Sequence, residues 1–286
     1  MTGFVVAGIV LLLVILCVVV SLPLIHPRRV AGAHTPAEES LPYEDIAFTT
    51  SDGIQLHGWW IPADNASRAV ILLHGYAGSM DPDLRYAPHL VNAGCNVLMF
   101  DFRAHCRSGG MITTLGALEV RDVQAAVAEV KKRGSQRLGL LGFSMGGRAA
   151  ILAAPRVPGI DAVISDCAPP SLHYAVMQNL TMRKIASPLA WLLAGMMLIG
   201  GSLFSGRNLF RQDLLTMSDQ VPDLPILFIQ GGQDRYVRRD QLDRLVERCG
   251  SRARLWLVQE AKHRNVEDLH PDTYLETITH FFIDAL

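Results

Sequence analysis

The 286-residue sequence carries no surplus of either charge: 26 lysines and arginines stand against 27 aspartates and glutamates. With a pI near 6.8, it lacks the basic footprint that nucleic-acid binding requires. Its five cysteines, Cys17, Cys95, Cys106, Cys167 and Cys249, include no CxxC pair and no zinc-ligand spacing. That pattern argues against a disulfide framework and against a metal site, and leans towards a reducing compartment without fixing one. Internal repeats and low-complexity tracts are also missing. A chain of this length holds one large α/β domain or two small ones, and one domain plus a tail is the simplest reading.

Apolar residues are abundant instead. Mean hydropathy is +0.24, high for a soluble enzyme, and two uncharged runs account for much of the excess. The first, Phe4 to Ile25 ("FVVAGIVLLLVILCVVVSLPLI"), would extend roughly 33 Å as a helix, enough for a hydrocarbon core of ~30 Å. A cleaved signal peptide is the rival reading, with "AGA" at Ala31 to Ala33 as the cleavage site. Against it, no Lys or Arg precedes the run, the run exceeds an ordinary signal core, and Arg28 and Arg29 stand before the candidate site. The expectation is one uncleaved anchor over residues 1–27 and a polar, proline-containing tether over 28–42, followed by the main domain over 43–286. The two arginines after the span place the domain on the cytoplasmic side of a membrane. The sequons at Asn65 and Asn179 would matter only in a eukaryotic secretory lumen.

From Tyr43 onward, short aliphatic or β-branched runs alternate with helical patterns, the rhythm of an α/β sheet. Eight strands are expected: "DIAFTT", "IQLHGWWIP", "AVILLH", "NVLMFDF", "RLGLLGF", "IDAVISD", "PILFIQG" and "ARLWLVQ". Only "TSDG" separates the first two, which predicts an antiparallel hairpin. The later strands are nearly all apolar and are joined by helical segments, which predicts parallel strands covered on both faces.

In "LGLLGFSMGGRAAI" a strand runs through Gly142, Phe143, Ser144, Met145 and Gly146 into a helical pattern. This is the GxSxG nucleophile elbow in its strand-turn-helix setting, where a Cβ at Gly142 or Gly146 would crowd the turn. A serine hydroxyl needs a histidine to take its proton and an acid to fix that histidine's tautomer. "PILFIQGGQD" supplies Asp234 just past one strand and "LWLVQEAKH" supplies His263 just past the next. Asp234 has a bland reading as a turn or helix-capping residue, and Asp240 is then the substitute acid. His270 and His280 belong with the final helix. "ILLHGYAGS" supplies the loop for oxyanion donors, assigned to the backbone N–H groups of Tyr76 and Met145, with His74 and Gly75 shaping the turn. No cofactor is implied.

Together "HGYAGS", "DFRAHCRSGG", "GFSMGG", "GGQD" and "AKHRN" with "PDTYLETITHFF" resemble an α/β-hydrolase-fold serine hydrolase. The likeness is to the membrane-anchored group related to serine aminopeptidases, lysophospholipase-like hydrolases and BEM46-type proteins. It implies an eight-stranded, mostly parallel sheet, and a triad in the order Ser144, Asp234, His263. The family usually reads "RGHGxS" where this chain has Ala104 and Cys106, and Asp101 and Arg103 read as loop-ordering residues. A serine at the elbow disfavours the dehalogenase and epoxide hydrolase branches, which use aspartate there.

The second apolar run, "IASPLAWLLAGMMLIGGSLF" at Ile185 to Phe204, falls between Ser144 and its partners. A single crossing there would put the nucleophile and the histidine on opposite sides of a membrane. The resemblance places a lid insertion at this point, about 168–222. Its apolar side chains, Leu189, Trp191, Leu192, Leu193, Met196, Met197, Leu198 and Ile199, surround most of a helix and leave no polar face. Either the lid dips into the membrane, with Arg183, Lys184, Arg207 and Arg211 at headgroup level, or it packs on the domain or a second subunit. The expected activity is hydrolysis of a carboxylic ester or thioester with a hydrophobic, lipid-like acyl group. The rivals are an aminopeptidase-like amidase and a non-catalytic scaffold.

Overall fold

The computed structural model describes residues 2–30, 32–217 and 220–286. Ala31 of the "AGA" triplet, and Ser218 and Asp219 within the expected lid range, lie outside the described residues.

The eight strands are β1 (Glu44–Thr49), β2 (Gln55–Ile61), β3 (Arg68–Leu73), β4 (Cys95–Phe100), β5 (Arg137–Phe143), β6 (Ala162–Asp166), β7 (Ile226–Gly231) and β8 (Ala253–Val258). They form one sheet in the order β1-β2-β4-β3-β5-β6-β7-β8. β2 runs antiparallel to β1 and β4, and every pairing from β4 through β8 is parallel. The "TSDG" link makes the predicted hairpin: Gly53, at φ +82°, donates to Thr50 O and Thr50 donates to Ile54 O.

Ten helices are described: α1 (Thr2–Ile25), α2 (Ala87–Asn92), α3 (Glu119–Lys132), α4 (Met145–Ala153), α5 (Leu172–Met182), α6 (Ser187–Ser205), α7 (Leu214–Met217), α8 (Arg239–Arg248), α9 (Val266–Leu269) and α10 (Pro271–Ala285). Alternate strand residues feed two cores. Ile71 and Leu73 meet Val123 of α3, Ala149 of α4 and Leu242 of α8 on one face. Val70 and Leu72 meet Leu90 of α2 and Tyr274 and Phe282 of α10 on the other. Helices on both faces explain why the central strands carry no polar alternation.

Among the described residues, α1 and α6 are the two helices long and apolar enough to cross a membrane. α1 stops just short of Pro27, since the residue before a proline avoids the helical region, and α6 stops at Gly206, which caps it at φ +65°. The two pack on each other. A Cβ on Gly200 would collide with the Cys17 backbone, so the helices touch main chain to main chain there. Ala194, Met197 and Leu198 of α6 join Leu24 of α1 and Leu172 and Val176 of α5 in a third cluster. One side of α6 is therefore covered by α1 and α5, while Leu189, Trp191, Leu192, Ile199, Leu203 and Phe204 are 45–60% exposed. Along α1, Phe4 through Leu16 are exposed and Cys17, Ser21, Leu24 and Ile25 are buried. The polar stretch after α1 is seated on the domain rather than free. Arg29 donates to the carbonyls of Cys106, Ser108 and Gly110, and Ala33 N–H donates to Asp81.

Candidate active site

Ser144 sits at the tip of the turn from β5 into α4, at φ 51° and ψ −107°, a conformation that stores strain of order 1–3 kcal/mol in an L-residue. The surroundings hold it there. Its N–H donates to Asp166 O (2.8 Å) at the end of β6, and its carbonyl accepts from Arg148 N–H (3.0 Å). A Cβ on Gly142 would strike the Gly146 carbonyl, and one on Gly146 would strike the Leu73 carbonyl.

Ser144, Asp234 and His263 converge beyond the carboxyl ends of β5, β7 and β8. Ser144 Oγ lies 3.1 Å from His263 Nε2, and His263 Nδ1 lies 2.7 Å from Asp234 Oδ2. The Asp234 side chain has no exposed surface. Its carboxylate also accepts from Gln230 Nε2 (2.9 Å) and from Tyr236 N–H (2.8 Å). These donors fix the orientation of the carboxylate towards His263. Tyr236 lays its ring 4.8 Å from the His263 ring. Asp240, the substitute acid, is exposed on α8 and bound to Arg238. His270 is half-buried and paired with Glu260, and His280 is exposed on α10.

The loop after β3 lies beside the elbow: a Cβ on Gly75 would stand 3.7 Å from Ser144 Cβ. His74 is buried, with Nδ1 2.7 Å from Gly75 O and Nε2 accepting from Phe102 N–H at 2.9 Å. Those partners require a proton on Nδ1 and none on Nε2, and burial holds the imidazole neutral, its pKa pushed down to about 3. His105 repeats the pattern, with Nδ1 on Arg103 O and Nε2 accepting from Ala77 N–H. The backbone N–H groups of Tyr76 and Met145 have no acceptor among the described residues.

Several participants were not singled out in the sequence. His105 lies within "DFRAHCRSGG", and Gln230 is the one polar side chain in "PILFIQG". Arg148 follows the elbow directly. Its buried guanidinium donates to the carbonyls of Leu115, Pro169, Pro170 and Gln212, so it ties the start of the segment between β6 and β7 to the stretch that follows α6. Burial lowers its pKa to about 10. Ala104 and Cys106, where the family reads glycine, have φ of 62° and 35°. That is the left-handed region glycine enters without penalty. Asp101 accepts from the Met80 and Arg107 N–H groups, while Arg103 pairs with Asp52 and Asp122. The ligand atoms of Cys167, Asp234 and His263 lie within 4.8 Å of one another. Asp234 and His263 are already bonded to each other, and Cys167 Sγ accepts from Arg264 N–H.

Residues 68–209 match the family model for the alpha/beta hydrolase fold. The chain is 31% identical to the YfhR protein of Escherichia coli K12 over 254 residues, covering 85% of this chain and 81% of that protein. The chain belongs to the α/β-hydrolase family. Among solved structures, this α/β hydrolase matches a Pyrococcus furiosus esterase with a TM-score of 0.75 and 30% identity, covering 90% of this chain and 96% of that one. It is also 24% identical over 275 residues to a membrane protein of Saccharomyces cerevisiae, covering 91% of this chain and 88% of that one.

Proposed function

We propose that this α/β hydrolase is a membrane-anchored serine esterase or thioesterase that cleaves a hydrophobic acyl substrate through an acyl-serine intermediate. The observation that carries the reading is the unbroken relay from Ser144 Oγ through His263 to the buried carboxylate of Asp234. In it, Ser144 Oγ attacks the acyl carbonyl and His263 Nε2 takes the hydroxyl proton. Asp234 holds the Nδ1–H tautomer and stabilises the imidazolium. The N–H groups of Tyr76 and Met145 receive the oxyanion. His263 then protonates the leaving group, and water, activated by the same imidazole, releases the acid and restores Ser144. The Pyrococcus furiosus relative, an esterase, supports an ester substrate.

The membrane part rests on length. The freely exposed part of α1, Phe4 through Leu16, extends only ~20 Å, short of a hydrocarbon core of ~30 Å. For α1 to cross, the bilayer must reach down to the turns seated against α6. The exposed apolar face of α6 then meets lipid, and an acyl chain reaches the site from the membrane. Arg183, Lys184, Arg207 and Arg211 are exposed and without ion pairs among the described residues, as headgroup contacts would require. Arg28 and Arg29 after α1 put the domain on the cytoplasmic face.

The test is a series of p-nitrophenyl esters of increasing acyl length with wild type and Ser144→Ala. The expected result is kcat/KM rising with chain length and a loss of at least about 10³-fold in the variant. A preference for acetyl esters would remove the lipid-like substrate, and activity retained in Ser144→Ala would remove the mechanism.

A further inference from the structure

A helix leaves its last carbonyls without donors from its own backbone. In α1 the final bond of the series runs from His26 N–H to Leu22 O (2.9 Å), which leaves the carbonyls of Pro23, Leu24 and Ile25. Each finds its donor on the hydrolase domain. Tyr76 Oη lies 3.1 Å from Pro23 O and 3.0 Å from Leu24 O, one hydroxyl proton shared between two acceptors. Thr113 N–H donates to Ile25 O at 2.8 Å. Leu24 and Ile25 are buried, so water does not replace these donors, and an unmet carbonyl there would be costly.

The two capping residues are also the two that touch the proposed oxyanion donors. Tyr76 carries one donor on its own backbone. Thr113 Oγ1 lies 3.6 Å from Met145 Sδ, on the residue that carries the other. The chain turns left-handed at Ala77, φ 54°, immediately after Tyr76. An L-residue holds that conformation only where its surroundings impose it, and here the grip is His105 on Ala77 N–H from one side and α1 on the Tyr76 side chain from the other. Burial raises the Tyr76 phenol pKa, so it remains a neutral donor.

The geometry points to the last turn of α1 as a built part of the oxyanion hole, with the Tyr76 side chain as the positioning residue that ties the membrane helix to the donor N–H. This rests on the serine-hydrolase reading of Ser144. Seating α1 therefore sets the rate of the chemical step as well as the place of the enzyme. A donor that is misplaced costs transition-state stabilisation more than ground-state binding.

The experiment is steady-state hydrolysis of a p-nitrophenyl ester by the full-length chain in detergent micelles, comparing wild type, Tyr76→Phe and Ser144→Ala. Inhibition by an acyl trifluoromethyl ketone, which presents an oxyanion, is measured alongside. In Tyr76→Phe, kcat is expected to fall about ten- to a hundredfold, with KM within about twofold and the ketone weakened in proportion to kcat. The pH midpoint of kcat/KM stays in place, because His263 and Asp234 are untouched. Circular dichroism confirms that this loss of one oxygen leaves the fold intact. Ser144-dependent activity that is indifferent to Tyr76→Phe, or that changes only in KM, would overturn the inference and leave the serine mechanism standing. Activity that survives Ser144→Ala would overturn both.

Discussion

His74 and His105 set the shape of the loop beside Ser144 through their tautomers. Each accepts a backbone N–H on Nε2, which a protonated ring cannot do, so neither serves as a proton carrier. The folded His74 has its pKa depressed to about 3, against ~6.5 in an unfolded chain. The sign follows from linkage: its contribution to stability is full above ~6.5 and is lost as pH falls through that value towards 3. Heteronuclear NMR of the imidazole nitrogens should show His74 fixed as the neutral Nδ1–H form from about pH 8 to about pH 5. A titration midpoint near ~6.5 would contradict the assigned tautomer. His74 and Gly75 were legible from "LLHGYAGS" after an apolar strand, because a nucleophilic serine would demand donors there. His105 was not, because its role depends on meeting Ala77 across the loop, a contact that leaves no periodic trace in the chain.

At the scale of elements, the central strands and the elbow were readable because each is a local pattern: an unbroken apolar run, a glycine where a Cβ would collide, a helix start directly after. The fate of α6 was not. Its composition is that of a membrane span, and what it touches depends on Gly200 meeting Cys17, residues more than half the chain apart. That contact covers one side of α6 and leaves six large apolar side chains about half exposed on the other. At ~1.5–3 kcal/mol for each full side chain, this face forgoes roughly 5–9 kcal/mol in water, comparable to the net stability of a domain, ~5–15 kcal/mol. Trp191 on this face is 60% exposed, while Trp59 and Trp60 are buried at 4% and 6%. Reconstituted into vesicles with brominated acyl chains, the protein should lose tryptophan fluorescence, and Trp191→Phe should abolish most of that quenching. Equal quenching in both proteins would mean that the α6 face lies outside the lipid.

For the whole molecule, one sheet carries Ser144, Asp234 and His263 past the ends of three parallel strands, and Arg148 ties the start of the segment between β6 and β7 to the stretch that follows α6. The order of Ser144, Asp234 and His263 along the chain was legible because each must follow a strand. Their 3.1 and 2.7 Å contacts depend on side-chain packing, as does the docking of α1 onto the domain. Every proposed catalytic step depends on Ser144 being the activated nucleophile. Mass spectrometry of the full-length protein after reaction with a fluorophosphonate tests this most directly. A single adduct mapped to Ser144, absent from Ser144→Ala and slowed at least about 10³-fold in His263→Ala, is the expected result. A folded protein that takes up no label, or takes it up on another residue, would contradict the account.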